Sequence, residues 1–360
     1  MPEHGVKGSV ADLLAKMVRD SIGWLDGSGE YPGIVLSSRV RLARNVAGVP
    51  FSHRATEEQL AEVRAEVLKA HQRSNYLKNA FFLSTSEMAD MDKQFMVERH
   101  LVSPGLLEKK GARGILVGDK EIVSVMVNEE DHLRLQAIQS GFQLKSAWHI
   151  IDRIDDEVGT SLDYAFSDQF GYLTACPTNT GTGLRGSVLI HLPALVLTQE
   201  IDKVLRGITQ VGLAVRGLYG EGTAVLGNLF QISNQTTLGQ SEEEIINSLE
   251  RVTKQIIGYE QDARKTLLRD AKSQIEDKIW RAYGIVKNAR VLTSQEFMNL
   301  SSAVRLGVAL EMITEIDIKT INQLMIWTQP SHLQKRAGRK MEPADRDAYR
   351  ADFVRKTLAG

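Results

Sequence analysis

The chain has 360 residues, of which 42% are hydrophobic, and its formal net charge is −1. This length suits two domains or one large domain with an appendage, and the near-neutral charge gives no overall attraction to nucleic acid or to an anionic membrane. A single cysteine excludes an intrachain disulfide framework, and we find no apolar run of signal-peptide or membrane-spanning type. We therefore expect a cytoplasmic protein with no membrane partner and no direct nucleic-acid partner.

The first two thirds of the chain alternate predicted helices and strands. Short apolar runs between turn residues predict strands at Ile34–Leu36, over 113–128 and within 163–235. Apolar residues recur at helical spacing in five further segments, namely 9–24, 57–73, 86–100, 146–158 and 193–213.

The character of the chain changes at Ser241. Ser241 and Glu244 have the spacing of a capping box, and helical spacing then continues almost to the end. We therefore predict an α+β domain over 1–260 and an all-α domain over 261–360. The second domain offers apolar residues that either dimerisation or an internal core would explain, at Leu306, Val308, Leu310 and Ile313.

The segment from Cys176 to Arg185 combines the only cysteine with a glycine-rich turn. Glycine accepts a positive φ and lets the backbone approach an anion, while arginine offers a planar fork suited to phosphate. The segment therefore predicts a phosphate site with a thiol beside it. The alternative for Cys176 is a small buried apolar side chain. The letters also match GxGxxG, which we discount because a strand, not a helix, is expected to follow.

Two arginines, Arg39 and Arg41, follow the apolar run Ile34–Leu36, after Ser37 and Ser38. In a strand they point to the same face, where they repel each other unless an anion lies between them. The pair thus indicates a phosphate clamp, with a solvated strand edge as the alternative.

Three acids and a histidine, Glu129 to His132, follow the apolar run 123–127 and precede Arg134. Acids at a helix N-terminus would complement the helix dipole and are one interpretation. A metal site is another, but no further ligands stand at a recognisable spacing. Beyond the apolar run 211–215, a second glycine-rich loop carries Arg216 and Glu221, and a solvated Glu221 is its plain interpretation.

Taken together, these segments place many arginines near strand ends. Such a set would hold several phosphate oxygens by paired hydrogen bonds, as in a nucleoside triphosphate with Mg²⁺. The usual phosphate-loop pattern GxxxxGK[ST] is absent from the sequence.

With these segments in view, the chain resembles the phosphagen (guanidino) kinase family. The matching stretches occur in family order: SSRVR from Ser37, NEEDHLR from Asn128, CPTNTGTGLR from Cys176, and VRGLYGEG with QISN from Val215. They span roughly residues 25–260. The resemblance extends over the whole chain for the bacterial protein-arginine kinase (McsB-type) branch, because SSRVR begins at residue 37 and the C-terminal part carries RDxxRA at Arg346–Ala351.

The resemblance implies a catalytic domain with an antiparallel sheet flanked by helices, glutamine-synthetase-like, that lacks the large N-terminal helical domain of the small-molecule kinases. It implies Glu130 and Glu221 as carboxylates that hold and deprotonate the acceptor guanidinium, and Cys176 as a thiolate that positions it. The implied ATP and phosphate contacts are Ser37, Ser38, Arg39, Val40, Arg41, His100, Arg134, Arg185, Gly186, Ser187, Val188, Leu189, Arg216, Gly217, Leu218, Tyr219, Gly220 and Glu221.

Two further expectations come from the branch. Arg346, Asp347, Arg350 and Ala351 would form an allosteric phosphoarginine pocket, since residues i and i+4 share a helix face; a solvated basic helix is the alternative. Tyr219 stands where the small-molecule kinases have an arginine, so the phosphate clamp would be one guanidinium smaller.

The function implied is a protein-arginine kinase that uses ATP and Mg²⁺, with the metal held mainly by ATP and by no dedicated protein site. Its implied partners are proteins with exposed arginines, a second copy in a homodimer or larger oligomer, an activator protein and a Clp-type unfoldase in the stress response. The alternatives are a kinase for free arginine or another guanidino compound, and a phosphoarginine-binding adaptor with a vestigial site.

Overall fold

The computed structural model describes residues 10–108, 111–217 and 226–359. In the described chain, eight strands form one antiparallel sheet in the order β2-β3-β4-β5-β1-β8-β10-β9, and two short strands, β6 and β7, form a separate ribbon. The strands are β1 Val35–Arg44, β2 Phe81–Ser84, β3 Gly114–Val117, β4 Val123–Val127, β5 Leu133–Ser140, β6 Phe166–Ser167, β7 Gly171–Tyr172, β8 Leu184–His191, β9 Leu213–Arg216 and β10 Leu229–Asn234.

Helices surround the sheet and form the C-terminal part. Those up to the end of the sheet region are α1 Val10–Arg19, α2 Glu57–Arg73, α3 Asp90–Glu98, α4 Pro104–Glu108, α5 Leu144–Gly159, α6 Pro193–Leu197, α7 Ile201–Gln210 and α8 Glu242–Asp270. Those that follow are α9 Lys272–Asn288, α10 Ser294–Ala309, α11 Ile318–Trp327, α12 Pro330–Ala337 and α13 Pro343–Ala359. No helix of the described chain is long and apolar enough to span a membrane.

The two faces of the central strands differ in character because side chains alternate along a strand. One face carries Val40, Leu135, Val188 and Ile232, all fully buried. Helix α5 packs on β1 and β5, and α8 packs on β8 and β10, so this face forms the main core. The other face is polar and carries the selected arginines of the sheet, Arg39, Arg41, Arg134, Arg185 and Arg216.

The capping signals predict the helix starts well. At α2, Thr56 accepts from the Gln59 amide and Gln59 returns a bond to the Thr56 amide. At α8, Ser241 and Glu244 make the predicted capping box. Both motifs depend only on residues three apart, so tertiary contacts are not needed to form them.

Other predicted elements differ from the structure. The predicted helix over 86–100 begins only at Asp90 and is preceded by strand β2. The predicted helix over 193–213 is two helices, α6 and α7, with Gln199 in a left-handed conformation between them. The acids of 129–131 lie in a tight connection between β4 and β5, not at a helix N-terminus.

The C-terminal helices α9 to α13 bury their own core. Leu306 and Ile313 are buried in it, so an internal core accounts for these two apolar residues. Helix α8 runs unbroken through residue 260 and ends at Asp270, and Leu267 packs against both cores. The domain boundary near 260 stays a prediction.

Candidate active site

Four arginines from three neighbouring strands lie on the polar face of the sheet. Arg41 in β1 is directly opposite Arg185 in β8, and Arg39 lies two residues earlier on the same face. Arg134 in β5 is opposite Ala43, one pleat along from Arg41. We call Arg39, Arg41, Arg134 and Arg185 the arginine face. The antiparallel register thus brings together residues that are far apart in sequence.

Positive charge exceeds negative charge around Arg39 and Arg41 on the arginine face. Burial and the neighbouring Arg134 lower the pKa of Arg39 to about 10. Burial, followed by the charges of the other three arginines, holds the pKa of Arg41 well below its ordinary value, against the pull of Glu129. The Nε atom of Arg41 has no hydrogen-bond partner among the described residues. Arg41 is half-buried, and an anion bound beside it would offset the repulsion from its guanidinium neighbours.

Side chains of β8 and β10 orient Arg39. Its Nη2 donates to Gln231 Oε1 at 2.7 Å, and its Nε donates to Ser187 Oγ at 3.4 Å. Gln231 is opposite Arg216 in the register, so Arg216 extends the same face to the edge strand β9. These neutral partners fix the direction of the guanidinium without neutralising it.

Strand alternation divides the predicted nucleotide contacts. Ser38, Val40, Gly186 and Val188 belong to the helix-packed face. Ser38 Oγ there donates to the Gly141 carbonyl at 2.9 Å. A nucleotide on the arginine face would therefore meet only backbone atoms at these four positions. Ser37, Ser187 and Leu189 share the parity of Arg39 and present side chains to the arginine face.

A small cleft lies at one end of the arginine face. Besides Arg39, Ser37, Ser187 and Gln231, its lining is His100, Trp24, Ile138 and Leu189. The Trp24 and His100 rings meet edge to face with centroids 5.3 Å apart. Burial and then the charge of Arg39 lower the pKa of His100 to about 3, so the ring is neutral. The cleft therefore combines an aromatic and apolar end, suited to a nucleotide base, with a cationic end.

His100 and Trp24 could not be found from local sequence patterns. His100 has φ 58°, an uncommon conformation for a non-glycine residue, and its carbonyl accepts from Gln136 Nε2 at 2.9 Å. Trp24 stands in a single 3₁₀ turn over Gly23–Leu25 and belongs to no motif. Their pairing depends on tertiary packing alone.

The two glutamates in the acidic turn after β4 have different surroundings. Glu129 is buried, lies 3.1 Å from Arg134 Nη1 and accepts from the Ser103 hydroxyl. Burial would raise the pKa of Glu129, but Arg134 and Ser103 hold it below its ordinary value. Glu130, the next residue, is exposed. Of the two glutamates, Glu130 is therefore the one available to a substrate.

Asp131 and His132 hold this end of the site together. Asp131 Oδ1 accepts from Asn45 Nδ2 and from the Ala175 amide, both at 2.6 Å. His132 is fully buried, and its Nδ1 accepts from the Val46 amide at 3.0 Å. Asp131 thus ties the turn that carries Glu130 to the loop that carries Cys176.

The loop of Cys176 is fixed by the glycine turn that follows it. Gly181 and Gly183 have φ values of 115° and 66°, and an added Cβ would lie 2.3 Å and 2.6 Å from the carbonyl oxygens of Thr237 and Ala43. Cys176 itself is half-buried, with Sγ 3.1 Å from Thr178 Oγ1. The thiol is therefore accessible on a tightly held loop.

Several predicted residues lie outside the described chain. These are Leu218, Tyr219, Gly220 and Glu221, whereas Arg216 and Gly217 are described. Over residues 10–108, 111–217 and 226–359, no group of three or more His, Cys, Asp or Glu side chains is placed to hold a metal ion.

The RDxxRA residues lie on α13, against α11 and the start of α10. Arg350 is buried and donates to the carbonyls of Thr328 and Leu292, at 2.9 and 2.7 Å, and to Asp347 at 2.5 Å. Arg346 is half-buried, and its Nε finds no acceptor in the described chain. The segment is therefore not a solvated basic helix, and Arg346 is the arginine of the pair better placed to meet a ligand. Ala351 is fully buried.

Models of two families match the chain. The ATP:guanido phosphotransferase C-terminal catalytic domain matches residues 62–263, and the protein-arginine kinase McsB C-terminal domain matches residues 272–360. Both matches follow the order of the two cores described above.

Relatives of known name match over most of their length. A protein-arginine kinase of Moorella thermoacetica is 49% identical over 94% of this chain and 97% of its own. One of Pelotomaculum thermopropionicum is 48% identical over 93% and 95%. Among solved structures, lombricine kinase has a TM-score of 0.58 at 25% identity, covering 71% of this chain and 78% of its own. The duplicated taurocyamine kinase of Schistosoma mansoni, with bound transition-state-analogue components, has a TM-score of 0.59 at 26% identity over 68% and 35%.

Proposed function

The chain belongs to the ATP:guanido phosphotransferase family, and we propose that it is a protein-arginine kinase, which transfers the γ-phosphoryl group of ATP to arginine side chains of proteins. The observation that carries this proposal is the arginine face, where half-buried guanidinium groups from three strands lie together, and burial together with their charges lowers the pKa values of Arg39 and Arg41. A triphosphate supplies the missing negative charge.

Nucleotide binding follows from the two ends of the cleft. The base would pack near Trp24 and His100, and the phosphates would extend along Arg39, Arg41 and Arg185. Phosphoryl transfer depends mainly on alignment and on stabilising the charge of the transferred group. Because Arg39 is already oriented by Gln231 and Ser187, little reorganisation is needed when that charge develops.

Mg²⁺ fits this site as a companion of ATP. The described residues provide arginines toward the phosphates and no cluster of metal ligands, so the nucleotide oxygens would hold the ion. When bound, the metal neutralises phosphate charge and helps to align the transferred group.

The acceptor arginine would lie at the other end of the face, beside Glu130 and Cys176. A guanidinium is protonated at neutral pH and is a poor nucleophile. A carboxylate can bind it through two hydrogen bonds and take one proton from the attacking nitrogen as the N–P bond forms. Glu130 is exposed and is our candidate for this role, with Glu221 as a second carboxylate and Cys176 as a positioning residue.

An exposed acceptor site favours a protein substrate over a small molecule. Glu130, Pro177 and Thr178 are exposed, and Cys176 is half-buried on the loop between them. An arginine presented on a polypeptide can reach such a site without a closed pocket.

The wider role of the enzyme is also a proposal. We infer that it acts in the cytoplasm as a homodimer or larger oligomer, with an activator protein, and marks proteins for a Clp-type protease in the stress response. Arg346, Asp347, Arg350 and Ala351 would sense phosphoarginine, with Arg346 the phosphate contact that the geometry favours.

The test is mass spectrometry for acid-labile phosphate on arginine after incubation with ATP, Mg²⁺ and unfolded casein. We expect casein to be modified and free arginine to be a poor substrate, and Glu130→Gln to lower the rate by about 10²–10⁴-fold, the usual worth of a general base. Exposed Glu62 supplies the matched control, Glu62→Gln. Robust turnover of free arginine would instead favour a small-molecule kinase, and an unchanged rate in Glu130→Gln would remove this residue from the mechanism.

A further inference from the structure

An open groove with apolar walls lies next to the loop of Cys176. Its walls are Phe166 and Phe170, from the β6–β7 ribbon, and Leu238, from the segment after β10. Thr182 lines it at the glycine turn, and Glu242 and Glu244 line it at the first turn of α8. We call this the acceptor-side groove.

The apolar walls of the groove are unusually exposed. Phe166, Phe170 and Leu238 are 57%, 45% and 54% exposed. Single exposed apolar side chains are common on protein surfaces, but three around one groove indicate an interaction site. This surface therefore needs an apolar occupant.

The groove is preformed by the framework beneath it. The guanidinium carbon of Arg44 lies 3.5 Å from the centre of the Tyr172 ring, and the Tyr172 ring packs edge to face on Phe166 with centroids 5.3 Å apart. Arg44 is itself buried and bound to Asp155. The two-stranded ribbon is thus fixed to the core, and binding would require little ordering of the walls.

The groove is continuous with the loop that receives the acceptor. Tyr172 and Gly181 exchange two backbone hydrogen bonds, of 2.8 and 3.3 Å, which close the loop around Cys176. Thr237 Oγ1 donates to the carbonyls of Thr178 and Thr180, at 3.0 and 2.7 Å. A chain that places an arginine at Cys176 would therefore run directly past the groove.

The charge at the groove complements an arginine-bearing chain. The charged residues that line the groove in the described chain are two glutamates, Glu242 and Glu244. Glu243, beside them in the first turn of α8, is exposed. Glu242 is already paired with Arg44, at 3.4 Å, so Glu243 and Glu244 are the carboxylates that would attract lysine and arginine near the acceptor and repel acidic flanking residues.

We propose that the acceptor-side groove binds a large apolar side chain of the substrate protein, located within a few residues of the arginine to be phosphorylated. The occupant is an extended segment with apolar and basic residues, a kind of segment that folded proteins bury and unfolded proteins expose. This proposal rests on the proposed function.

The test uses peptides with one arginine in a Gly/Ser background and a single Leu or Ser placed at successive positions on either side. Phosphoarginine formation is measured for each peptide. We expect a KM about tenfold lower for Leu than for Ser at one or two positions in the wild type, since partial burial of a Leu side chain is worth about one factor of ten. In Phe170→Ser and in Leu238→Ser the ratio of the two KM values should approach one.

The matched control is Val291→Ser, which removes an apolar side chain that is 58% exposed between α9 and α10. It should keep the Leu preference. The proposal is overturned if the wild type shows no Leu preference, or if both groove variants retain it. If a groove variant changes the oligomeric mass measured by light scattering but keeps the Leu preference, the groove is a contact between copies and the proposal is overturned. If the wild type modifies no peptide or protein arginine, the proposed function fails first.

Discussion

Two sets of arginines, one buried in the framework and one half-buried on the arginine face, serve opposite purposes in this fold. The framework set is surrounded by oxygen acceptors. Arg44 binds Asp155 and the carbonyls of Ala43 and Thr182, and Arg305 binds Asn322 and two carbonyls. On the arginine face, the main charged neighbours of Arg41 are other guanidinium groups, with Glu129 acting in the opposite direction.

The contrast is sharpest within one strand. Arg41 and Arg44 both lie in β1 but point to opposite faces. Burial alone would lower the pKa of Arg44, but Asp155 raises it above its ordinary value. Burial and neighbouring arginines lower the pKa of Arg41. Because Arg41 and Arg44 are the same residue type, their partners and their burial decide which of them stabilises the fold and which can bind an anion.

The largest expected effect comes from the arginine face. Arg41→Met should lower kcat/KM for ATP by about 10³–10⁵-fold, the usual worth of an arginine on a transferred phosphoryl group. The free energy of unfolding should change less than in Arg44→Met, because Arg41 is half-buried and removing its charge relieves repulsion from the other guanidinium groups. Steady-state kinetics and urea unfolding measure the two quantities. A stability loss matching that of Arg44→Met would contradict the assignment of Arg41 to the site.

Substitution of a framework arginine should affect the free energy of unfolding most. Arg44→Met should lower the free energy of unfolding by about 3–5 kcal/mol, because it leaves Asp155 buried without its partner. Urea denaturation checks this value, with exposed Arg206→Met as the control. The double variant Arg44→Met/Asp155→Leu should recover part of the loss. If Arg44→Met were as stable as the wild type, the division into two sets would not hold.

Local sequence patterns predict that Arg39 and Arg41 share a face, but they do not predict the partners of the framework arginines. Alternation along β1 places Arg39 and Arg41 on one face, and the predicted capping box of α8 is confirmed. The partner of Arg44 is 111 residues away, at Asp155, and no spacing rule connects them. A strand pattern gives the direction of a side chain, whereas the neighbouring elements provide its partners.

The acidic turn shows the same limit. The apolar run before them does not distinguish Glu129 from Glu130, and Glu130 is selected through the resemblance alone. The structure separates them, since Asn128 turns the backbone at φ 60° and Glu129 then reaches Arg134 while Glu130 is exposed. His100 came from the resemblance alone. Trp24 had no signal at all.

A polyphosphate should distinguish the two arginine sets by ligand binding. Tripolyphosphate carries phosphate charge without a base, so it should stabilise the wild type by about 2.7 kcal/mol at a hundred times its dissociation constant. The same stabilisation should appear in Arg206→Met and should be lost in Arg41→Met. Thermal unfolding at increasing tripolyphosphate concentrations provides the measurement. Equal stabilisation of all three proteins would show that the anion binds elsewhere.

The smallest expected effect concerns a histidine of the framework. His332, in the first turn of α12, donates from Nδ1 to Glu98 at 2.9 Å, while its Nε2 accepts from Arg99 at 3.2 Å. Protonation would place a second N–H against the Arg99 guanidinium. Burial is the main cause that lowers the pKa of His332 to about 4, and the charge of Arg99 lowers it further. The hydrogen bond to Glu98 acts in the opposite direction.

Because the unfolded state has a histidine pKa of about 6.5, it takes up a proton as the pH falls below that value, while the folded state does not until about pH 4. Stability is therefore lost as the pH falls, by about 1 kcal/mol between pH 6.5 and 5.5 from this group. His332→Asn keeps a donor for Glu98 but cannot titrate, so its unfolding free energy should fall less steeply over this interval. The control is a variant of an exposed histidine, His53→Asn, whose unfolding free energy should fall with pH as steeply as that of the wild type. If His332→Asn also kept the wild-type slope, the loss of stability would arise at other groups.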